Sequence, residues 1–257
     1  MATQIHDDDS APPAGKKAFA LIFAGGVGRR MHSSAMPKQF LELYGKPVIV
    51  RTLETFEAHP EVEGIAVACI ADWIDHLRGL VVKFGLRKVR AIVPGGATGR
   101  LSIRAGLRAI ADLGVPAGTL ILVHDGVRPL VTAGDIAANL AAARRFGGAV
   151  TVAPAYETIA VVDDAGRIGS LVPRETCRLV RAPQTFRLGD MLRAHAQADA
   201  LGRDEVIDTL TLMRDAGFPP PVAVEGAVDN IKITTPQDFM LFKQLVEARE
   251  EQRAWDL

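Results

Sequence analysis

The chain has 257 residues, of which 48% are hydrophobic and 23% are charged, as in an ordinary globular enzyme. Its 30 Lys and Arg balance 30 Asp and Glu, so it lacks the basic surplus of a protein held on nucleic acid by counterion release. The longest apolar run, Ala18 to Ala24, is far shorter than the ~20 residues that span a bilayer. The chain also lacks the basic, apolar start of a secretion signal. We therefore expect a cytoplasmic protein that binds neither nucleic acid nor membranes.

Residues 1–16 are polar and rich in turn formers, which predicts a flexible tail, and we expect a single domain over residues 17–257. Beyond the tail, short apolar runs alternate with helical patterns. The predicted strands are Phe19–Phe23, Ile65–Ile70, Val89–Val93, Thr119–Val123 and Ala149–Ala153. The predicted helices are Val48–Ala58, one capped by Asp72, Leu101–Leu113 and Thr132–Phe146. This alternation predicts an α/β fold with a doubly wound, mostly parallel sheet covered on both faces.

The pattern changes after Pro154. Strand-like segments at Thr158–Val162 and Ile168–Val172 flank a turn signal, which predicts a β-hairpin arm over about residues 156–172. No helix follows to cover this hairpin, and a two-stranded arm is marginally stable alone, so we expect it to pack on something, a second subunit being one candidate. Further predicted elements are helices Leu188–Leu201, Val206–Ala216 and Pro236 to about Glu251, and strands Val222–Val224 and Asn230–Ile233.

A glycine-rich turn, Gly25-Gly26-Val27-Gly28-Arg29-Arg30, follows the first strand. Its backbone N–H groups could approach a phosphate closely, although a tight turn without any ligand would use the same glycines. An NAD-dependent oxidoreductase is disfavoured, because Met31 occupies the position of the third glycine of the dinucleotide fingerprint. Lys38, in Pro37-Lys38-Gln39-Phe40, is either a further phosphate-binding cation or a solvated surface lysine.

Two more clusters carry charge. Asp125 and Arg128 follow the fourth strand, where the aspartate could hold magnesium or a substrate hydroxyl, and the arginine could bind phosphate or brace Asp125. Lys232 alternates with two isoleucines, so it faces either solvent or a cleft. His124 is interpreted as a packing residue. Zinc has little support.

The cysteines, Cys69 and Cys177, are interpreted as buried free thiols in a reducing compartment.

These clusters, in this order, resemble the cytidylyltransferases that act on alditol phosphates, a family that includes the 2-C-methyl-D-erythritol 4-phosphate and D-ribitol 5-phosphate enzymes. The resemblance runs from about Phe19 to Leu245. It implies a Rossmann-like nucleotidyltransferase that transfers CMP from CTP to an alditol phosphate and releases pyrophosphate. The pathway would be the biosynthesis of isoprenoids or of polyol-phosphate polymers.

The resemblance also implies roles for individual residues. Catalytic cations would be Arg30, Lys38 and Lys232. Nucleotide contacts would come from Ala24, Gly25, Gly26, Gly28, Gly96, Ser102 and Asp125. The alditol phosphate would meet Asp125, Arg128, Thr158 and Arg174, the last two reaching across a homodimer from the arm. Mg²⁺ would bind at Asp125 and Asp229.

Some positions depart from the family pattern. Ala182 and Ile207 stand where threonines are common, which leaves the identity of the alditol phosphate open. Gly25 and Val127 favour the ribitol-type branch. Two alternatives stay open: a nucleotidyltransferase for another sugar phosphate, and a catalytically silent homologue that dimerises.

Overall fold

A computed structural model describes residues 17–25, 36–204 and 208–255 of the chain, so the tail predicted over residues 1–16 lies outside the described residues. The strands within the described part are β1 Ala18–Ala24, β2 Glu42–Leu43, β3 Lys46–Pro47, β4 Val62–Cys69, β5 Val89–Pro94, β6 Leu120–Asp125, β7 Ala149–Pro154, β8 Ile159–Val162, β9 Ile168–Val172, β10 Arg178–Arg187 and β11 Val222–Glu225. The helices are α1 Val48–Ala58, α2 Ile74–Lys83, α3 Gly99–Asp112, α4 Ala133–Phe146, α5 Leu188–Ala200, α6 Thr209–Asp215 and α7 Pro236–Trp255.

A central sheet of seven strands organises the described residues, in the order β11-β7-β10-β6-β1-β4-β5. Neighbouring strands are parallel except β10, which runs antiparallel to both β6 and β7. The hairpin β8–β9 forms a separate two-stranded sheet. The predicted doubly wound, mostly parallel α/β fold with a hairpin arm is therefore confirmed.

The two faces of β1 explain why helices cover both sides of the sheet. Ala20 and Ile22 are fully buried in a core shared with helices α1, α2 and α4. Leu21, which points to the opposite face, is buried in a second core with helices α3, α5 and α6. A strand with apolar residues at every position therefore has to lie in the middle of the sheet.

The structure corrects four local expectations. Strand β10 has no counterpart among the predicted elements, although it lies near the middle of the sheet. Conversely, residues 230–233 have no regular secondary structure. Helix α2 begins after Trp73 without a side-chain cap, so Asp72 does not cap it. Cys69 is buried as expected, but Cys177 is only half-buried. Among the described residues, no helix is long and apolar enough to cross a bilayer.

Candidate active site

The carboxyl ends of four parallel strands meet at one edge of the sheet. Ala24, at the end of β1, is in register with Cys69 on β4, and Cys69 with Pro94 on β5. On the other side, Phe23 is in register with Asp125, the last residue of β6. The segments that follow these strands therefore lie side by side, at the position where open α/β sheets bind their ligands.

Asp125 joins two cations at this edge. Its Oδ1 lies 2.7 Å from Nζ of Lys232, and its Oδ2 accepts a hydrogen bond from Nε of Arg128 at 2.8 Å. The backbone N–H of Ile233 donates to the carbonyl of Val127 at 2.9 Å, which fixes the segment of Lys232 against the loop after β6. Lys232 thus faces the cleft, one of its two expected positions, and Arg128 does brace Asp125.

The electrostatics of this cluster keep Asp125 ionised. Burial raises the pKa of its carboxyl, but the charges and hydrogen bonds of Lys232 and Arg128 outweigh burial and hold the pKa well below its usual range. Burial lowers the pKa of the neighbouring His124 to about 4, so its imidazole is neutral at pH 7. His124 also packs beside Phe56, with ring centroids 5.2 Å apart. His124 is therefore a packing residue, as expected from the sequence.

Ser102, on α3, organises the loop after β5. Its Oγ accepts a hydrogen bond from the backbone N–H of Gly96 at 3.0 Å and donates to the carbonyl of Thr98 at 2.9 Å. The same oxygen would lie 3.0 Å from a Cβ at Gly25, so a side chain there would force its neighbours to shift. The Ser102 side chain is buried and its bonds go to backbone groups of this loop, so it holds the loop in place; its role towards a nucleotide stays a prediction.

The Pro37–Phe40 segment is attached to the end of β1. Gln39 donates a hydrogen bond from Nε2 to the carbonyl of Ala24 at 2.8 Å, and Phe40 stacks on Trp73 with centroids 4.8 Å apart. Lys38 lies in the short 3₁₀ turn between Pro37 and Leu41, beside this anchor. The predicted roles of Gly26, Gly28 and Arg30 fall outside the described residues and stay predictions.

A cleft opens at the same edge between β6 and β10. Among the described residues, its lining comprises Phe23, Gly99, Ile103, Val123, His124, Asp125, Arg128, Val180, Arg181, Ala182, Gln184, Asp208, Thr209 and Lys232. Sequence reasoning named Asp125, Arg128 and Lys232 but missed the cation Arg181. The signal that could have found it was its position directly before Ala182, one of the positions that depart from the family pattern.

The other predicted site residues lie elsewhere. Asp229 pairs through Oδ2 with Arg249, whose Nη2 is 2.5 Å away, and it does not line the described cleft, so its metal-binding role stays a prediction. Thr158 and Arg174 are exposed at the base of the hairpin arm, where Arg174 donates to the carbonyl of Tyr156. The described cleft therefore does not include these two residues from its own chain.

Comparison with known proteins adds three findings. Residues 18–248 match the family described as IspD, 2-C-methyl-D-erythritol 4-phosphate cytidylyltransferase. The chain is 43% identical to a ribitol-5-phosphate cytidylyltransferase of Streptococcus agalactiae, a similarity that covers 93% of this chain and 99% of that one. It is also 43% identical to a 2-C-methyl-D-erythritol 4-phosphate cytidylyltransferase of Geobacter metallireducens, over 90% of this chain and 98% of the relative.

Solved structures show the same architecture. The fold is similar to the crystal structure of a 4-diphosphocytidyl-2C-methyl-D-erythritol synthase from Anaerococcus prevotii, with a TM-score of 0.77 and 25% sequence identity. The similarity covers 90% of this chain and 96% of that one. The arrangement of strands and helices is thus shared across nearly the whole length of the two chains.

Proposed function

Since the chain belongs to the 2-C-methyl-D-erythritol 4-phosphate cytidylyltransferase family, we propose that it transfers CMP from CTP to D-ribitol 5-phosphate and releases pyrophosphate. That it is a cytidylyltransferase follows from the family; the choice of alditol phosphate is the proposal. The observation that carries the chemistry is the cluster of Lys232 and Arg128 around Asp125 at the carboxyl edge of the sheet.

In this reaction an oxygen of the alditol phosphate attacks the α-phosphorus of CTP. A new P–O–P bond forms, and the bond from the α-phosphorus to the β-phosphate oxygen breaks as pyrophosphate leaves. A phosphate monoester is already a nucleophile at pH 7, so the protein has mainly to position two polyanions and stabilise developing charge. The ammonium of Lys232, held by Asp125, supplies a fixed positive charge for this purpose.

Magnesium is part of the proposal. Within the described residues, no three His, Cys, Asp or Glu side chains converge on one point. Mg²⁺ commonly uses one or two carboxylates together with substrate phosphates and water, and each oxygen of Asp125 keeps a lone pair beyond its bond to a cation. The residues therefore fit an ion held chiefly by the triphosphate, with Asp125 as its protein ligand. When bound, the ion would neutralise charge on the phosphates.

The preference for a ribitol-type substrate rests on two features. Gly25 is packed so that a Cβ would lie 3.0 Å from both Phe23 Cε2 and Ser102 Oγ, which fits the glycine form of the loop. Val127, directly before Arg128, is buried and is the second residue that matches the ribitol-type branch. The Streptococcus relative, whose name specifies ribitol 5-phosphate, supports the same choice.

The proposal includes a homodimer in the cytoplasm, where the free thiols stay reduced. Several large apolar side chains of the arm are exposed, among them Tyr156, Val161, Ile168 and Leu171. Such a patch is typical of a protein–protein interface. We place Thr158 and Arg174 of one subunit at the cleft of its partner, because they do not line the described part of their own.

The test compares kcat/KM for D-ribitol 5-phosphate and 2-C-methyl-D-erythritol 4-phosphate at saturating CTP, with pyrophosphate release as the readout. We expect ribitol 5-phosphate to be used at least as well. A preference for the methylerythritol substrate beyond tenfold would overturn the choice of acceptor and leave the cytidylyltransferase activity standing. UTP, GTP and ATP serve as controls for the nucleotide, and each is expected to be a poor substitute for CTP.

A further inference from the structure

We infer that Arg181 binds the phosphate group of the alditol phosphate. The inference rests on the proposed function and extends it to a residue in the cleft that the charged cluster of Asp125 does not contain. Its basis is the position of Arg181 in the sheet, the pattern of its hydrogen bonds and the charges that surround it.

The strand order places Arg181 at the edge of the sheet where the cleft opens. Strand β10 is antiparallel to its neighbours, so its first residues lie where β6 and β7 end. Val180 is in register with Val152 near the end of β7, and Gln184 with Val123 on β6. Arg181 therefore lies at the same edge as Asp125, and it lines the same cleft.

The sheet order assigns Arg181 to the acceptor half. Strand β10 lies on the side of β6 opposite to β1, β4 and β5. The loops with Gly25 and Gly96, which we assign to the nucleotide, follow β1 and β5. With the nucleotide over those strands, the space beside β10 is left for the acceptor.

One guanidinium nitrogen anchors Arg181 to the backbone. Nη1 donates to the carbonyls of Val228 at 2.8 Å, Ala227 at 3.2 Å and Asn230 at 3.3 Å. Within the described part of the chain, Nε and Nη2 make no hydrogen bond, and no carboxylate lies within 4.0 Å of the side chain. A guanidinium held at one nitrogen, with Nε and Nη2 and their three N–H groups left over, is suited to a phosphate.

Arg181 differs from the other two cations of the described cleft in the charge of its partners. Lys232 and Arg128 both pair with Asp125, whereas Arg181 has only neutral carbonyls as partners among the described residues. Arg128 donates to the carbonyl of Asn230 at 2.9 Å, so the two arginines share one acceptor and converge. Burial, and then the charge of Arg128, lower the pKa of Arg181, and the charges of Asp229 and Asp135 act in the opposite direction. The convergence of the two guanidinium groups leaves a place for an anion, and a dianionic phosphate monoester supplies one.

The test uses Arg181→Gln and Arg181→Lys in the full-length enzyme. We expect Arg181→Gln to raise KM for the alditol phosphate at least tenfold and to change KM for CTP less than threefold. Arg181→Lys keeps the charge and loses the two-donor geometry, so its KM for the acceptor should fall between those of the wild type and Arg181→Gln. Arg187→Gln is the matched control, since Arg187 is exposed at the other end of the same strand, and it should leave both constants unchanged.

A second readout separates phosphate binding from a structural role. By calorimetry with a non-reactive CTP analogue present, Arg181→Gln should weaken the binding of D-ribitol 5-phosphate at least tenfold while its melting temperature stays within a few degrees of wild type. An equal rise in KM for CTP, or unchanged acceptor binding, would overturn the inference while the proposed function stands. Loss of activity in the wild type with every alditol phosphate would instead refute the proposed function, and the inference with it. If Arg181→Gln does not fold, the KM values of Arg181→Lys for the alditol phosphate and for CTP take its place in this comparison.

Discussion

The ammonium of Lys232 lies 2.7 Å from the carboxylate of Asp125, although the two residues come from segments far apart in the chain. The contact depends on Ile233, which is fully buried beside Phe242 of α7 and whose N–H donates to Val127. Packing of an isoleucine thus sets the position of a neighbouring cation. The sequence pattern of a lysine between isoleucines carries this information even though the segment is not a strand.

Replacing Lys232 tests the charge that this contact positions. We expect Lys232→Met to lower kcat roughly a hundredfold or more, since one positioned cation contributes on the order of 3 kcal/mol to such a transition state. Asp125 keeps its bond to Arg128, so the protein should stay folded by circular dichroism. Lys243→Met, at a half-exposed position of α7, is the control and should keep wild-type turnover. Turnover of Lys232→Met within threefold of wild type would remove Lys232 from the mechanism.

Ser102 gives a prediction for the nucleotide half. Ser102→Ala removes the acceptor of the Gly96 N–H and leaves that donor without its partner, at a cost of about 1–3 kcal/mol. We expect KM for CTP to rise about tenfold and KM for the alditol phosphate to change little, the reverse of the Arg181→Gln result. Steady-state kinetics with each substrate varied in turn measures both. A larger effect on the acceptor would show that Ser102 is not confined to the nucleotide half.

The parallel part of the sheet could be predicted from sequence because its strands are continuous apolar runs between helical patterns. Strand β10 could not, because Arg178, Arg181 and Pro183 interrupt its apolar pattern and proline usually excludes a central strand. The structure accommodates Pro183 where the register with β7 shifts between Val180 and Gln184. Such a bulge depends on the neighbouring strands, so a local pattern does not reveal it.

The residues of the candidate site likewise divide into those that the sequence could predict and those that it could not. Asp125 could be predicted because it ends an apolar strand that must lie in the middle of a parallel sheet. Arg181 was missed because its strand was missed. The pairing of Asp229 with Arg249 could not be foreseen either, since it depends on how α7 packs against the loop after β11. Long-range contacts of this kind follow from the tertiary arrangement and have no local signature.

His195, on α5, makes stability depend on pH. It is buried, neither ring nitrogen has a hydrogen-bond partner in the described structure, and burial, followed by the charge of Arg100, lowers its pKa to about 4. The unfolded chain, with an ordinary pKa of about 6.5, binds the proton first as pH falls, so folding stability declines from about pH 6.5 down to about pH 4. His124 contributes in the same direction.

The variant His195→Leu should remove this contribution. The free energy of unfolding of the variant minus that of the wild type should be about 2 kcal/mol larger at pH 5 than at pH 8. At pH 8 the imidazole of the wild type is neutral in both the folded and the unfolded state. Urea unfolding of both proteins at the two pH values measures the effect, and the pH 8 pair is the control for any change in packing. Parallel losses of stability for the two proteins between pH 8 and pH 5 would contradict the assignment.

The proposed sharing of the site between subunits predicts complementation. Lys232→Met and Arg174→Gln should each be nearly inactive as homodimers. In a mixed dimer, one cleft would combine the intact Lys232 of one subunit with the intact Arg174 of the other, and the second cleft would carry both defects. With equal mixing after unfolding and refolding together, half of the dimers are mixed and each regains one site, so activity should recover to about a quarter of wild type.

The same variants mixed without exchange of subunits are the control. If Arg174 acts within its own subunit, every cleft in the mixed dimer keeps a defect and no activity returns. A monomer in light scattering at micromolar concentration would contradict the dimer itself.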